Sequence, residues 1–299
     1  MASTFTPNIQ LEEPARGDQV GTWDTPVNNN MTLVDLVAGA ITTIGLNNSP
    51  VVLSAAQFQA KGITFNSTLT GSVAITFPTS FTKSYEIRNV CTGSSTFIVT
   101  LGTTAAGAQV VCAPPGQSVN VVNNGTSLYY HNLGGPIGSY LDYGGSSLPA
   151  WVSGCSIPPY ANCDGTAISS LHTILPIILG SSLLPDSKGR VRAALDQSAG
   201  RLSSAVAGFS PNTVGAGGGS QNYQQHTHSI TDPGHVHRYF QNAAFGFSGG
   251  GAGLNGGLAT VAANSCSATT GITVDNSGTG TAGNVQPTYI GGLTLIRAG

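Results

Sequence analysis

Of the six histidines in this 299-residue chain, four fall in one twelve-residue stretch, His226-Thr227-His228-Ser229-Ile230-Thr231-Asp232-Pro233-Gly234-His235-Val236-His237. They form two His-x-His pairs. In an extended backbone, residues i and i+2 point to the same side, so each pair presents two imidazoles in one direction. Two nitrogens do not close a metal site. Three copies of the chain around a threefold axis would bring six nitrogens from each pair, enough for an octahedral ion on the axis, and the chain then reads as a trimeric fibre built around such a column. The competing reading is a solvated turn, because the pairs lie among Gly and Ser.

No other chemistry competes strongly. Metal hydrolysis needs an open coordination position, and six imidazoles leave none. Glycan cleavage would need paired carboxylates. The chain has only 12 acidic residues, and Asp142, Asp164, Asp186, Asp196 and Asp232 all read as turn residues. Asp186 and Arg190 suggest a catalytic acid and electrophile, but no partner base lies nearby in sequence. Gly246-Phe247-Ser248-Gly249-Gly250 fits the nucleophile-elbow pattern but lacks the preceding strand and following helix that the mechanism needs. Arg16-Gly17-Asp18 is a three-residue chance match. The expectation is a protein that is not an enzyme and has no catalytic residues.

Composition sets the frame that must position the histidines. Only 7% of residues are charged, against an ordinary ~25%, while 40% are apolar and 41 are glycine. Such a chain buries enough apolar surface to fold. Its β-branched, Gly, Thr and Asn content points to an all-β or irregular fibrous homotrimer with large interfaces between identical chains. A net charge of −2 gives no basic footprint for nucleic acid. No apolar run approaches the ~20 residues of a membrane span, and the first residues lack a signal-peptide plan, so the expected site of synthesis is the cytoplasm, until something releases the product. The five cysteines, at 91, 112, 155, 163 and 266, include no Cys-x-x-Cys. Free thiols are expected, with a Cys155–Cys163 bridge the one alternative.

Four segments follow in order. Residues 1–50 read as an attachment segment, turn-rich to Asn30 and followed by a short helix opening at Thr32. Val34, Val37, Ile41 and Ile44 have the 3-4-3 spacing of a seam between helices, or of one amphipathic helix packed on its own domain, and Gly45 and Pro50 end it. Residues 51–133 show short strands at 63–65, 73–77, 85–90, 96–101, 109–111 and 118–122, with a hairpin turn at Asn124-Gly125. They suggest a small antiparallel β-sandwich. Residues 134–215 are less regular. Residues 216–299 form a Gly-rich tip, where three chains can intertwine closely and a metal would hold what little core there is.

Specific motifs carry a family resemblance. Pro7 to Leu11, then Gly21, Trp23, Pro26, Asn28 and Asn30, resemble the opening of phage tail-fibre proteins. That resemblance implies a segment, with Trp23, Pro26, Asn28 and Asn30, that docks on the virion through a tail or portal/adaptor protein. Residues 53–126 are similar to a β-module recurrent in phage fibres. Gly134-Gly-Pro-Ile-Gly-Ser-Tyr140, Trp151, Cys163-Asp-Gly165, Leu184-Pro-Asp-Ser-Lys-Gly-Arg190, the Gly-rich His region and Val285-Gln-Pro287 appear in the order seen in the phage tail-collar domain. The chain departs from that pattern in an insertion at 152–162 and in its ending, Ile290 to Gly299.

The resemblance implies a virion protein made in a bacterial cytoplasm and found in the tail. It implies His226, His228, His235 and His237 as ligands of ions on a trimer axis. Six imidazoles suit iron, with zinc, which prefers four ligands in structural sites, the second choice. The function it implies is a tail fibre that adsorbs to a host receptor, lipopolysaccharide or an outer-membrane protein. Tyr223, Tyr239 and Phe240 are candidate receptor contacts, or fill the interior between chains. The alternatives are a collar or fibre that only joins virion parts, or a polysaccharide depolymerase.

Overall fold

A computed structural model describes residues 3–202, 204, 209–218, 229, 231, 234–242, 260–264, 266 and 292–299. The chain divides into one unit of residues 1–218 with 289–299, and a second of residues 219–288. Strands in several sheets dominate, with few helices. Among the described residues no helix is long and apolar enough to cross a membrane.

The N-terminal segment pairs β1 (Thr4–Phe5) with β2 (Glu12–Glu13) and then enters α1 (Asp24–Gly39). This helix starts about two turns before the expected position. Pro26 in the first turn brings a preset φ and no N–H in need of a partner, and Asp24 meets the positive end of the helix dipole. The seam reading does not hold. The helix stops at Gly39, and Ile41 and Ile44 belong to β3 (Ile41–Gly45), a β-branched run that favours the extended backbone. A different apolar stripe stands exposed on α1: Trp23, Val27, Met31 and Val34 are 67%, 45%, 65% and 43% accessible.

From β3 the chain coils. It passes through β4 (Val51–Val52), α2 (Ala55–Gln59), β5 (Gly62–Asn66), β6 (Thr68–Leu69), β7 (Val73–Phe77), β8 (Lys83–Asn89), β9 (Thr92–Gly93) and β10 (Val99–Thr103). β3, β5 and β8 pair in parallel in one sheet, β4, β7 and β10 in parallel in a second, and β6 with β9 in parallel in a third. Register partners lie 21 to 26 positions apart, from Ile44–Phe65 to Ile75–Leu101. The expected antiparallel sandwich is therefore corrected in its main feature. Each strand is followed by a corner into the next sheet instead of a hairpin, so every circuit lays a strand parallel on the one before it. Antiparallel strands end the coil: β11 (Val111–Ala113) on β10, then β12 (Ser118–Asn123) on β8, and β13 (Leu128–Asn132) on β12. The turn at Asn124-Gly125 is the one expected, with Asn124 N–H donating to Ser127 C=O at 3.2 Å.

Like residues stack inside the coil. Ile63 lies on Ile87, Val73 on Val99, and Ile75 between Val51 and Leu101. Ile63, Ile87, Val99 and Leu101 are fully buried. Two buried amides satisfy the backbone where the regular ladder breaks. Asn89 donates to Ala113 C=O at 2.8 Å and accepts from Cys91 N–H at 3.0 Å. Asn123 donates to the carbonyls of Pro78 and Phe81 at 2.9 and 3.1 Å. At Gly93, φ is +128° and a β-carbon would stand 2.4 Å from Leu69 O, so a side chain there would break the β6–β9 pair.

The stacking makes a direct prediction. Leu101→Ala removes a side chain from the middle of the coil and is expected to destabilise the protein by about 2–5 kcal/mol. Val52→Ala, at a residue 77% exposed, is expected to change stability by less than about 0.5 kcal/mol. Denaturant titration of both variants reads the difference.

Candidate functional site

After the coil, the chain builds a three-stranded sheet from distant segments. β14 (Tyr140–Tyr143) and β15 (Tyr160–Asn162) both pair antiparallel with β18 (Leu293–Arg297), which lies between them. The helical turns α3 (Ala150–Ser153) and α4 (Leu175–Leu179) flank β15 in sequence. Cys163, Leu175, Leu179, Leu184, Ile296 and Ala298 form the local core. The C-terminal strand, expected with the tip, thus belongs to the sheet that carries the collar-like motifs.

Those motifs meet in space. Asp164 and Asp186 form an antiparallel bridge, as do Ala167 and Leu183. The Asp164 carboxylate accepts from the N–H and hydroxyl of Thr166 at 3.0 and 2.6 Å. Slight burial pushes the Asp164 carboxyl up, but these bonds outweigh it and hold it below its ordinary value. Ser187 donates twice to Cys163 C=O, and Asp186 accepts from Lys188 N–H at 3.3 Å and pairs with its ammonium at 3.9 Å. The chemistry of Asp164 and Asp186 is that of turns, as expected. Arg192 binds both oxygens of Asp142 at 2.9 Å and lies over the Tyr140 ring at 5.0 Å.

Two open clefts adjoin where the coil meets this sheet, with volumes of about 370 and 500 Å³. Gln117, Tyr143, Pro149 and Trp151 line both. Tyr160 stands edge-on to Trp151, with ring centroids 6.1 Å apart. Charged side chains line neither cleft. The combination of aromatic faces with amides and hydroxyls suits a neutral polar ligand with apolar faces, and offers no acid–base pair for catalysis. Sequence reasoning missed this surface. Its residues are separated by up to 178 positions, from Gln117 to Leu295, and Trp151 registered only as a motif landmark.

The predicted site residues fare differently. His235 and His237 are both exposed, with ring centroids 5.0 Å apart and ring planes at 90°. That spacing brings two imidazoles together, as the i, i+2 argument expects. It is a partial donor set. Among the described residues no group of three or more His, Cys, Asp or Glu side chains could hold a metal within one chain. His226, His228 and Tyr223 lie outside the described residues, as does the Gly246–Gly250 match. Tyr239 and Phe240 fall in β16 (Arg238–Asn242), which pairs antiparallel with β17 (Thr260–Asn264). In the N-terminal segment, Trp23 is exposed and Pro26 buried. Asn28 is exposed. Asn30 accepts from Glu12 N–H at 2.8 Å and donates to Glu12 C=O at 3.0 Å, holding β2 against α1. The Cys155–Cys163 bridge does not form. Both are free thiols: Cys163 sits in the local core, its thiol pushed up to about 11 by burial, while the Cys155 sulfur turns to Trp151 C=O and the Tyr130 hydroxyl.

Comparison of the chain with protein-family models, with curated proteins and with solved structures found no match.

The Asp164–Asp186 bridge depends on Gly165. Its φ is +81°, and a β-carbon would lie 3.1 Å from Asp186 Cβ. Gly165→Ala is expected to destabilise by about 1–3 kcal/mol. Gly189→Ala has a positive φ but open space around it, and is expected to cost about 1 kcal/mol. Thermal melts of the two variants distinguish strain with a clash from strain alone.

Proposed function

We propose that the chain is a bacteriophage tail-fibre protein, a fibrous homotrimer of the virion tail that adsorbs to a host-cell receptor by binding and not by catalysis. The observation that carries this reading is the assembly of the collar-like motifs. Tyr140 pairs in the small sheet, the Cys163-Asp-Gly165 turn follows β15 and meets the Leu184–Arg190 turn through the Asp164–Asp186 bridge, and Trp151 stands edge-on to Tyr160 of the same sheet. Their association in space supports reading them as parts of one domain.

Two further features support the trimer. The exposed stripe Trp23, Val27, Met31 and Val34 on α1 is apolar surface that a neighbouring chain, or the tail or portal/adaptor protein holding the N-terminus, would cover. The exposed His235–His237 pair presents two imidazoles, and in a trimer its symmetry mates would complete a coordination shell. In the proposed trimer, His235 and His237 form one ring of ligands and His226 and His228 another. Each would hold an ion on the axis, iron first and zinc second, and the ions would tie together a tip rich in glycine. The neutral clefts beside Trp151 are candidate receptor surface, together with Tyr223, Tyr239 and Phe240. The receptor is lipopolysaccharide or an outer-membrane protein.

Purified protein made without a His tag is expected to run as a trimer in native mass spectrometry and to carry transition metal by elemental analysis. It is also expected to adsorb to sensitive cells and block infection. The double variant His235→Ala/His237→Ala is expected to lose metal and melt at a lower temperature. An ion-free, well-folded monomer overturns the trimer; a trimer that neither adsorbs nor competes with phage overturns the receptor role.

A further inference from the structure

We propose that Cys112 and Cys155 form a thiol–disulfide site, oxidised by a small-molecule disulfide of the glutathione class, that covalently ties the end of the coil to the collar-like segment. The two lie 43 positions apart, Cys112 in β11 and Cys155 just beyond α3, and the backbone brings them together. Ser156 N–H donates to Val110 C=O at 2.9 Å, and the Ser156 hydroxyl accepts from Val110 N–H at 2.8 Å. Residues 154–156 thereby run alongside the strand that carries Cys112. Gly154 makes room: a β-carbon there would stand 2.8 Å from Cys112 Sγ, so nothing separates that sulfur from the chain leading into Cys155. The Tyr130 hydroxyl fixes both partners, donating to Cys112 C=O at 2.5 Å, accepting from Cys112 N–H at 3.1 Å, and lying 3.4 Å from Cys155 Sγ.

The two sulfurs are unequal. The neighbouring Cys112 thiol holds the Cys155 thiol below its ordinary value; burial opposes this and the Tyr130 hydroxyl reinforces it. The same proximity, with burial, pushes Cys112 far up. Cys112 is fully buried, while Cys155 keeps 6% exposure. Cys155 is therefore the attacking thiolate and Cys112 the resolving thiol.

The steps balance. The Cys155 thiolate attacks one sulfur of the external disulfide, forming a mixed disulfide and expelling one small thiolate. Cys112 then gives up its proton to solvent and attacks the Cys155 sulfur, expelling the second. The protein loses two electrons and two protons, and the external disulfide becomes two thiols. A product made in a reducing compartment and acting outside it would close this bond after release. That timing rests on the proposed function, whereas the chemistry does not.

The test uses the full-length protein, fully reduced and then equilibrated with graded mixtures of reduced and oxidised glutathione, and quenched by alkylation for non-reducing peptide mapping. The expected result is a Cys112–Cys155 linked peptide in the folded protein and a rise of several degrees in thermal midpoint on oxidation. Cys112→Ser is expected to trap glutathione on Cys155, Cys155→Ser to trap none on Cys112, and Cys163→Ser to leave the link unchanged. Cys112→Ala serves if the serine variant misfolds, and the wild-type mapping stands without either. A link between any other pair, glutathione retained on wild-type Cys155, or no reaction short of unfolding overturns the proposal. A linked monomer would overturn the trimer and leave this site standing.

Discussion

The structure depends most on the backbone ladder made by the last strand. Without Leu293–Arg297, neither Tyr140–Tyr143 nor Tyr160–Asn162 has the neighbour it pairs with, and Ile296 and Ala298 leave the local core. Arg297 strengthens the join, donating to Pro159 C=O at 2.9 Å and lying over the Tyr160 ring at 5.7 Å. The chain must therefore leave this unit after residue 218, run through residues 219–288, and return. The histidine stretch sits on an excursion that leaves this unit and returns to it as β18. An element placed that way can be long and poor in apolar residues without threatening the fold that holds it.

A second constraint is the near absence of charge. With 7% charged residues, the coil uses few charges at its irregular corners, the Lys83 ammonium on the Gln59 and Ala60 carbonyls being one, and relies on amides at others. Asn89 takes the interior position that Phe65 holds one circuit earlier, and Asn123 ties down the turn after β7. A buried amide of this kind is stabilising only when fully bonded, so these two positions specify the path of the chain more sharply than the aliphatic stack does. The same economy leaves the clefts beside Trp151 without charge.

The strands were legible and their pairing was not. Alternating β-branched residues in Val73–Phe77 and Ser118–Asn123 mark extended backbone with one buried face, and the structure has strands there. Alternation is blind to the direction of the neighbouring strand. The corner at Asn47-Asn48-Ser49-Pro50, expected only as the end of a helix, shares its turn residues with the true hairpin at Asn124-Gly125, and residue type alone does not tell a corner from a hairpin. In α1, the run Asn28-Asn29-Asn30 argued against helix by propensity. The signal that outweighs it, Pro26 behind Asp24, was present but read as part of a turn. Ile41 and Ile44 matched a helical spacing by coincidence, because strand residues three apart can fall on a 3-4-3 template too.

The candidate sites divide along the same line. The closeness of His235 and His237 was legible because their geometry is local: two residues apart in extended backbone leaves no choice of side. The turn chemistry of Asp164 and Asp186 was legible one residue at a time, though not the bridge between them. Nothing local joins Gln117 to Trp151, or Cys112 to Cys155. Those associations exist only because the coil ends in antiparallel strands that turn back along its side, where residues 150–156 then pack on β11. The cysteine spacing suggested 155 with 163, the shorter loop and the smaller entropic barrier. The fold overrides that preference, because Tyr160–Asn162 is drawn into the sheet by β18 and carries Cys163 into a different core. The strand that anchors the histidine excursion is thus also what separates the two cysteines nearest in sequence and leaves Cys155 to face Cys112.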